Sequence, residues 1–295
     1  MDPFNPTIEE WWRTEHVEGV IHLYQDKGGR LMNTLRRRTA RDSKELQFNL
    51  FSAVSTNKKG PGDKITAQTA AHSKEVLTPD TDFAGFWVER TDIMKMPEDE
   101  KDALNAAVAK AFARRGDDII VTAAGLTSTT SLTGTGTGEF FSPDMSEQIT
   151  EYFAENDVDE DEEIFNIVSP RVFRTMMRFK EFASSDYVGP DLPWGKQKDR
   201  GARTWNGQHW IRFNRLPKTG DIRTCFSWTR NAMAHAILGE MFFHPSWENQ
   251  RNAWFLNHNV TQGAKILQDV GVLPIKIDES VDPIAIDPDT YEVAV

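Results

Sequence analysis

A single cysteine, Cys225, in a chain of 295 residues excludes an intrachain disulfide and any cysteine-rich zinc site. Its alternating, apolar neighbours read as a strand, so Cys225 is expected to be a buried thiol and not a nucleophile. No stretch approaches the ~20 consecutive apolar residues that a membrane-crossing helix requires. The first residues, Met1 to Pro6, lack the basic and apolar regions of a secretion signal, which points to a protein made and kept in a cytoplasm. Positive charge is scarce: 34 Lys and Arg face 45 Asp and Glu, for a formal net charge of -11. That average field repels phosphates, so dominant sequence-independent binding of nucleic acid is disfavoured and only local basic patches remain open.

Catalytic and cofactor motifs are equally sparse. There is no Gly-x-Ser-x-Gly elbow, no catalytic cysteine signature and no Ser-x-x-Lys pair. The run Gly134-Thr-Gly-Thr-Gly138 has Glu139 where a dinucleotide fingerprint needs glycine, and it lacks the Gly-Lys-Ser/Thr ending of a phosphate loop, so it reads as a flexible loop. Asp157, Asp159 and Asp161 have the alternate spacing of a calcium loop. Glu162 stands where that loop needs its glycine and Val168 where it needs a bidentate Glu, which leaves a solvated acidic turn. His209, His235, His244 and His258 show no helical metal-site spacing and read as structural. No catalytic residue, cofactor or metal is expected.

What the chain does have is apolar and aromatic mass: 39% hydrophobic residues, nine Trp and eighteen Phe, enough for one large domain or two smaller ones. Its organising unit runs from Phe83 to Ala124. An aromatic strand, Phe83 to Met94, leads into a helix that begins at Pro97, with Glu98, Asp99 and Glu100 at the positive end of its dipole. Leu104, Val108, Ala111 and Phe112 form one stripe. Arg114, Arg115 and Gly116 suit a helix end, yet Ile119 and Ala123 stay in phase with Leu104 and Val108. A continuous helix from Pro97 to Ala124, ending at Gly125, would be roughly 40 Å long.

Residues 1 to 45 have no compact pattern. Trp11 and Trp12 precede a basic cluster of Arg30, Arg36, Arg37, Arg38 and Arg41, and the segment lies either on the rest of this chain or on a neighbour. Leu46 to Ser55 is strand-like, and Asn57 to Lys64 supplies turn chemistry. After about 27 mostly polar residues the chain returns along the aromatic strand, giving a projection far longer than an ordinary hairpin loop. A two-stranded ribbon is marginal alone and needs a surface to lie on. Arg36 to Arg41 suit either phosphates or the carboxylates of a neighbouring subunit, and Lys58, Lys59 and Lys64 pose the same choice. The carboxylates are favoured in a chain this acidic.

Beyond the long helix, Asp144 and Glu147 have the form of a capping box, with Ile149, Tyr152 and Phe153 on one face and an end near Asn156. A strand follows at Ile164 to Val168. Ser169 and Pro170 then start a helix with Val172, Phe173, Met176 and Met177 inward. Residues 184–207 read as a long loop. Strands are expected at Ile222 to Trp228, at Ala232 to Leu238 as its continuation or partner, at Trp254 to Val260 and at Val272 to Ile277, before an exposed tail from Asp282.

These parts, in this order, resemble the major capsid proteins of tailed bacteriophages, the Hong Kong 97-like α+β fold, from about residue 17 to 280. The resemblance implies an N-terminal arm at 1–45, an extended two-stranded loop at 46–95, and a peripheral domain at 96–125 and 253–280, with the spine helix at 97–124. It further implies an axial domain at 126–252 and a tail at 281–295. The function implied is structural: self-assembly, in a bacterial cytoplasm, into an icosahedral virion shell that encloses double-stranded DNA with at most weak direct contact. Its partners are copies of itself in pentamers and hexamers, with possible portal and decoration proteins. Nothing ahead of residue 17 resembles a fused scaffold, so scaffolding is expected to be a separate protein. The lysine–asparagine crosslink of some relatives has no match, which implies non-covalent assembly. Candidate intersubunit contacts are Arg36, Arg37, Arg38, Arg41, Lys58, Lys59, Asp63 and Lys64. Two other readings stand beside this one: a cytosolic α/β enzyme or nucleotide-binding protein, and a host encapsulating nanocompartment of the same fold.

Overall fold

Glu98–Ala124 form one unbroken helix of 27 residues, α1. In the computed structural model, residues 27–40, 44–51, 54, 56–65, 72–89, 98–133, 140–158, 161–179 and 202–280 are described. Expectations for Trp11, Trp12, Arg41, residues 90–97, the Gly134–Gly138 run, Asp159, most of the 184–207 loop and the tail lie outside them. Gly116 does not end α1, and the reason is packing. A Cβ there would run into the ends of Met32 and Gln262, so glycine lets two other segments cross close to the helix. The helix ends where Gly125 donates its N–H to Val121 at 3.0 Å. Ala123 is buried as expected, but Ile120 and Ala124 are buried too while Ile119 is half-buried and Ala111 exposed, so the buried stripe drifts off the expected face along the helix.

Thirteen strands surround α1 among the described residues: β1 (Arg36–Ala40), β2 (Leu46–Phe51), β3 (His72–Leu77), β4 (Asp80–Glu89), β5 (Leu132–Thr133), β6 (Ile164–Val168), β7 (Ala202–Trp205), β8 (Gln208–Arg212), β9 (Lys218–Thr219), β10 (Ile222–Thr229), β11 (Met233–Glu248), β12 (Ala253–Ile266) and β13 (Val272–Asp278). Two shorter helices are α2 (Pro143–Glu155) and α3 (Pro170–Met176). One sheet has the order β1-β11-β12-β4; a larger one runs β5-β13-β10-β6-β8-β7 with β9 on β10; β2 and β3 pair alone.

Helix α1 joins the two large sheets. Its first half lays Val108 and Phe112 on Val260, with Ala84, Phe86 and Ile237 around them, on one face of the four-stranded sheet. Its second half puts Ile120, Val121 and Ala124 into the main core with Phe141, Ile149, Phe165, Trp210, Phe226, Trp228 and Ile275. Between these halves lies the junction that fixes the segment ahead of β1. Asp117 is fully buried and accepts the backbone N–H groups of Leu31 at 3.0 Å and Arg30 at 3.3 Å. Burial pushes its carboxyl above the usual carboxylate range, against the pull of those amides, the Gly29 amide and the Arg215 guanidinium. Between the ordinary and the raised value the folded state holds the extra proton, so this group's contribution to stability falls as pH rises through that window.

Three successive carbonyls of α1 accept bonds from outside the helix. Phe112 accepts from Gln262 at 3.3 Å, Ala113 from the Gly29 N–H at 3.3 Å, and Arg114 from Arg215 at 3.1 Å. Gly28 has φ +70°, and a Cβ on it would meet the backbone of Ala113 and Arg114. Leu31 and Leu35 are buried in the main core, and the Trp228 indole donates to Thr34 Oγ1 at 3.1 Å. Of the two alternatives for the first 45 residues, the described part therefore lies on its own chain.

Several expectations need correction. The aromatic strand does not pair with Leu46–Phe51. That strand pairs with β3, inside what reads as polar sequence, while β4 pairs with β12. Leu77 and Val76 were the only apolar cue to β3. Strand β11 does not extend the β10 sheet but forms a long hairpin with β12, with a register shift between Leu238 and Phe242. The end of the 184–207 stretch is not loop: β7 forms a tight hairpin with β8, which follows it, and the turn residues Asn206 and Gly207 have φ 51° and 71°. Asn-Gly is a strong signal for that turn. The N-cap of α2 is Ser142, so Asp144 lies inside the helix and accepts from Gln148 instead of capping. The Ser169 cap of α3 forms as expected, accepting from Val172 N–H at 3.2 Å, but Met177 is on the surface.

The β2–β3 ribbon is pinned at one end. Phe48 and Leu77 pack on Ala234, Ala236 and Leu267, with Leu46 and Leu50 beside them. Lys265 holds the Glu75 carboxylate at 2.8 Å and donates to the Val76 carbonyl at 2.9 Å.

Two outcomes test this construction. Asp117→Ala strands two amides and Arg215; at ~1–3 kcal/mol per buried donor left without an acceptor, urea unfolding should show a loss of about 2–4 kcal/mol. Leu77→Ala empties the ribbon's anchor, with an expected cost of about 2–4 kcal/mol. Amide exchange should place the accompanying loss of protection in residues 46–77, with α1 unchanged.

Candidate assembly surfaces

Strand register sorts the four-stranded sheet into two faces. One carries Asp80, Asp82, Ala84 and Phe86 of β4 with Gln262, Val260 and His258 of β12, and α1 covers it. The other carries Phe83, Gly85 and Trp87 with Asn259, Asn257 and Phe255, and continues onto Phe242, His244 and Ser246 of β11. The proximal part of this second face, at Ala234, Ala236 and Gly263, lies under the base of the β2–β3 ribbon. The distal part stays open. There Phe83 is 78% exposed, Phe242 60% and Trp87 46%.

Local chemistry organises the open face. Gly85 leaves room for the Phe255 ring, because a Cβ would touch it. That ring packs on Trp87 at 4.7 Å between centroids, and the Arg251 guanidinium lies over the Trp87 ring at 4.5 Å. Stacked cation and rings of this kind contribute ~0.5–1 kcal/mol at exposed sites, which holds the side chains in place before any partner arrives. At the sheet's tip Trp247 and Trp254 meet edge to face at 5.3 Å.

The second surface belongs to the ribbon. Beyond its anchored base, Phe51 is 74% and Ile65 82% exposed, and Val54 is exposed as well. Phe51 meets His72 edge-on at 4.6 Å, and its strand neighbours Gln47 and Asn49 join Ser73 and Lys74 around an open concavity of about 330 Å³. At the tip Asp63 closes a turn on Gly60, its carboxylate accepting the Gly60 N–H at 3.1 Å.

The predicted contact residues fall on two separate elements. Arg36, Arg37 and Arg38 lie along β1, an exposed edge strand parallel to β11. Lys58, Lys59, Asp63 and Lys64 are exposed near the ribbon tip. Arg41 is outside the described residues. The aromatic face was not singled out in the sequence, although Phe83, Trp87, Phe242 and Phe255 were all visible there; the missing information was their pairing register.

Among the described residues no group of three or more His, Cys, Asp or Glu is placed to hold a metal. Cys225 is fully buried, and that burial pushes its thiol up to about 12. His209 stacks on Phe165 and His244 on Phe242. Glu279, buried at the end of β13, is bound by Arg223 at 3.2 Å and Lys218 at 3.6 Å. Burial raises its carboxyl, but hydrogen bonds from Ser169 and Arg223 and the charges of Arg223 and Lys218 outweigh it and leave the group below its ordinary range. Among the described residues no helix is long and apolar enough to cross a membrane.

A family model described as phage capsid protein matches residues 8–279. No curated protein sequence matches the chain. Among solved structures, the mature capsid of bacteriophage PhiM1 is 15% identical with a TM-score of 0.66, over 90% of this chain and 91% of that one. The capsid of Ralstonia phage GP4 is 11% identical with a TM-score of 0.67, over 95% and 98%. An encapsulin complex protein, SrpI of Synechococcus elongatus PCC 7942, is 10% identical with a TM-score of 0.68, over 92% and 95%. At such identities the likeness speaks for the fold, and the family match speaks for the lineage. The chain belongs to the phage capsid protein family and is a major capsid protein of the Hong Kong 97-like α+β fold, a structural subunit of the virion shell.

Proposed function

We propose that this capsid protein closes its shell by a non-covalent lap joint, in which the β2–β3 ribbon of one copy lies on the open aromatic face of its neighbour's four-stranded sheet. The observation that carries this reading is that both surfaces are apolar, exposed and continuous with a contact made within the chain. The ribbon's base already covers the proximal part of the same sheet face. Its distal residues Phe51 and Ile65 and the distal face at Phe83, Trp87 and Phe242 are left over. Burying such side chains contributes ~1.5–3 kcal/mol each relative to exposure, and many weak joints in one shell act together.

In this reading α1 with the four-stranded sheet is the peripheral domain. The seven-stranded sheet with α2 and α3 is the axial domain, gathered into rings of five and six. The pairing of β11 with β12 argues for moving β11 into the peripheral domain, and the place of β13 beside β10 for moving β13 into the axial one. Arg36, Arg37, Arg38 and Arg41, with Lys58, Lys59 and Lys64, meet carboxylates of neighbouring copies, and Asp63 shapes the tip that carries the lysines. The shell assembles in the cytoplasm of a bacterial host around a separate scaffold and then takes up double-stranded DNA, which an acidic protein retains by confinement and not by phosphate contacts. Portal and decoration proteins complete the particle.

The double substitution Phe51→Asn and Ile65→Asn removes the ribbon's two most exposed large apolar side chains without touching its anchor. The expected product is a soluble subunit with unchanged circular dichroism that forms no closed particles by electron microscopy. Normal shells from this variant would refute the lap joint. Nucleic acid extracted from native particles supports the phage reading, whereas a protein cargo without genome supports the encapsulating nanocompartment.

A further inference from the structure

Strand β1 is held at the sheet edge with little apolar help. Arg36, Arg37, Arg38 and Thr39 are all exposed, and among the described residues the strand pairs only with β11, through five register positions from Arg36↔Ala234 to Ala40↔Leu238. The ladder with β11 therefore carries most of its attachment. At the second position of that ladder, in register with Arg37, stands His235.

The environment of His235 is unusual for a titratable side chain. It is completely buried, and neither ring nitrogen has a hydrogen-bond partner among the described residues. Its register partner on β12 is Ala264, and Met233 and Ile237 flank it on the same face of β11. In a parallel pair, residues in register point to the same side, so Arg37 directs its side chain toward the face that carries the imidazole. The other charged or titratable groups on this face are accounted for. Asp82 is paired with Arg115 of α1 at 3.2 Å, Asp117 is bound to the Arg30 and Leu31 amides, Asp80 lies two strands away on β4, and His258 lies farther along β12. No carboxylate on β1 or β11 faces the ring to receive a proton's charge.

We propose that His235 is an acid-sensitive latch for β1: a proton taken up by its imidazole, buried beside Arg37 with no acceptor, releases the Arg36–Ala40 strand from the sheet edge. The neutral ring packs as an apolar group, whereas the charged ring demands solvation and repels Arg37. Opening the strand supplies water to both.

Desolvation first, and the Arg37 charge second, lower the imidazole from 6.5 to about 4. With the folded value depressed, the attachment is fully present above the unfolded value and is lost as pH falls from there toward about 4. Linkage between these two values predicts that the open strand is favoured on the order of fiftyfold at pH 4.5 relative to pH 7.

The test is amide hydrogen exchange on the purified full-length chain, reading peptides that cover residues 36–40 after correction for the intrinsic pH dependence of exchange. The expected result is a fall in protection of about fiftyfold between pH 7 and 4.5 in β1, with α1 and β6 unchanged. His235→Leu should keep β1 protected at pH 4.5. Arg37→Gln, which leaves the core intact and removes the repulsion, should make the loss at pH 4.5 smaller than in wild type. Equal protection of wild-type β1 at both pH values would overturn the latch. So would the same loss in His235→Leu and Arg37→Gln as in wild type, or a uniform loss across the whole chain.

Discussion

The fold depends on the middle of one helix. Around Gly116 and Asp117, α1 is approached by the segment that leads to β1, by β12 through Gln262, and by Arg215 from the loop between β8 and β9. A helix interior normally offers such neighbours only side chains, because its N–H and C=O groups are engaged within the helix. Here glycine removes a side chain, a buried carboxylate supplies an acceptor, and three consecutive carbonyls take second bonds. The junction locks the strut at the point where it passes from one sheet to the other, so the two sheets share one rigid reference.

From that constraint the outer surfaces follow. With α1 on one face of the four-stranded sheet and the ribbon's base on part of the other, the described residues leave the distal aromatic face open. The ribbon is pinned by Phe48, Leu77 and Lys265 and extends its remaining apolar residues away from the chain's own core. A monomer gains nothing from either surface. In the proposed joint each surface supplies what the other lacks, and the identity of the chain as a phage capsid protein gives a reason for both to persist.

Much of this was legible in the residues. The Ser169 cap, the core faces of α2 and α3 and the strands β6, β10 and β13 follow from periodicity and local chemistry. The family resemblance rested on their order. Pairing was not legible. The ribbon partner β3 is short and polar, and β4 is an aromatic run that suits several neighbours, so only tertiary contacts decide that β4 joins β12. The continuation of Gly116 within α1 was open for the same reason: a glycine that ends a helix and one that admits a crossing segment look alike until Met32 and Gln262 are placed. The aromatic face depends entirely on register and had no local signature.

The chemistry of the interior agrees with a structural role. Its buried polar groups are used for attachment: Asp117 holds a segment, Glu279 ties β13 to Arg223 and Lys218, and Cys225 is kept protonated by burial. The central claim is that the ribbon and the aromatic face are two halves of one joint between copies. An electron cryo-microscopy reconstruction of the assembled particle tests it directly. The account predicts density for a neighbour's ribbon, with Phe51 and Ile65, over Phe83, Trp87 and Phe242. A reconstruction in which that face is solvent-exposed in every subunit would contradict it.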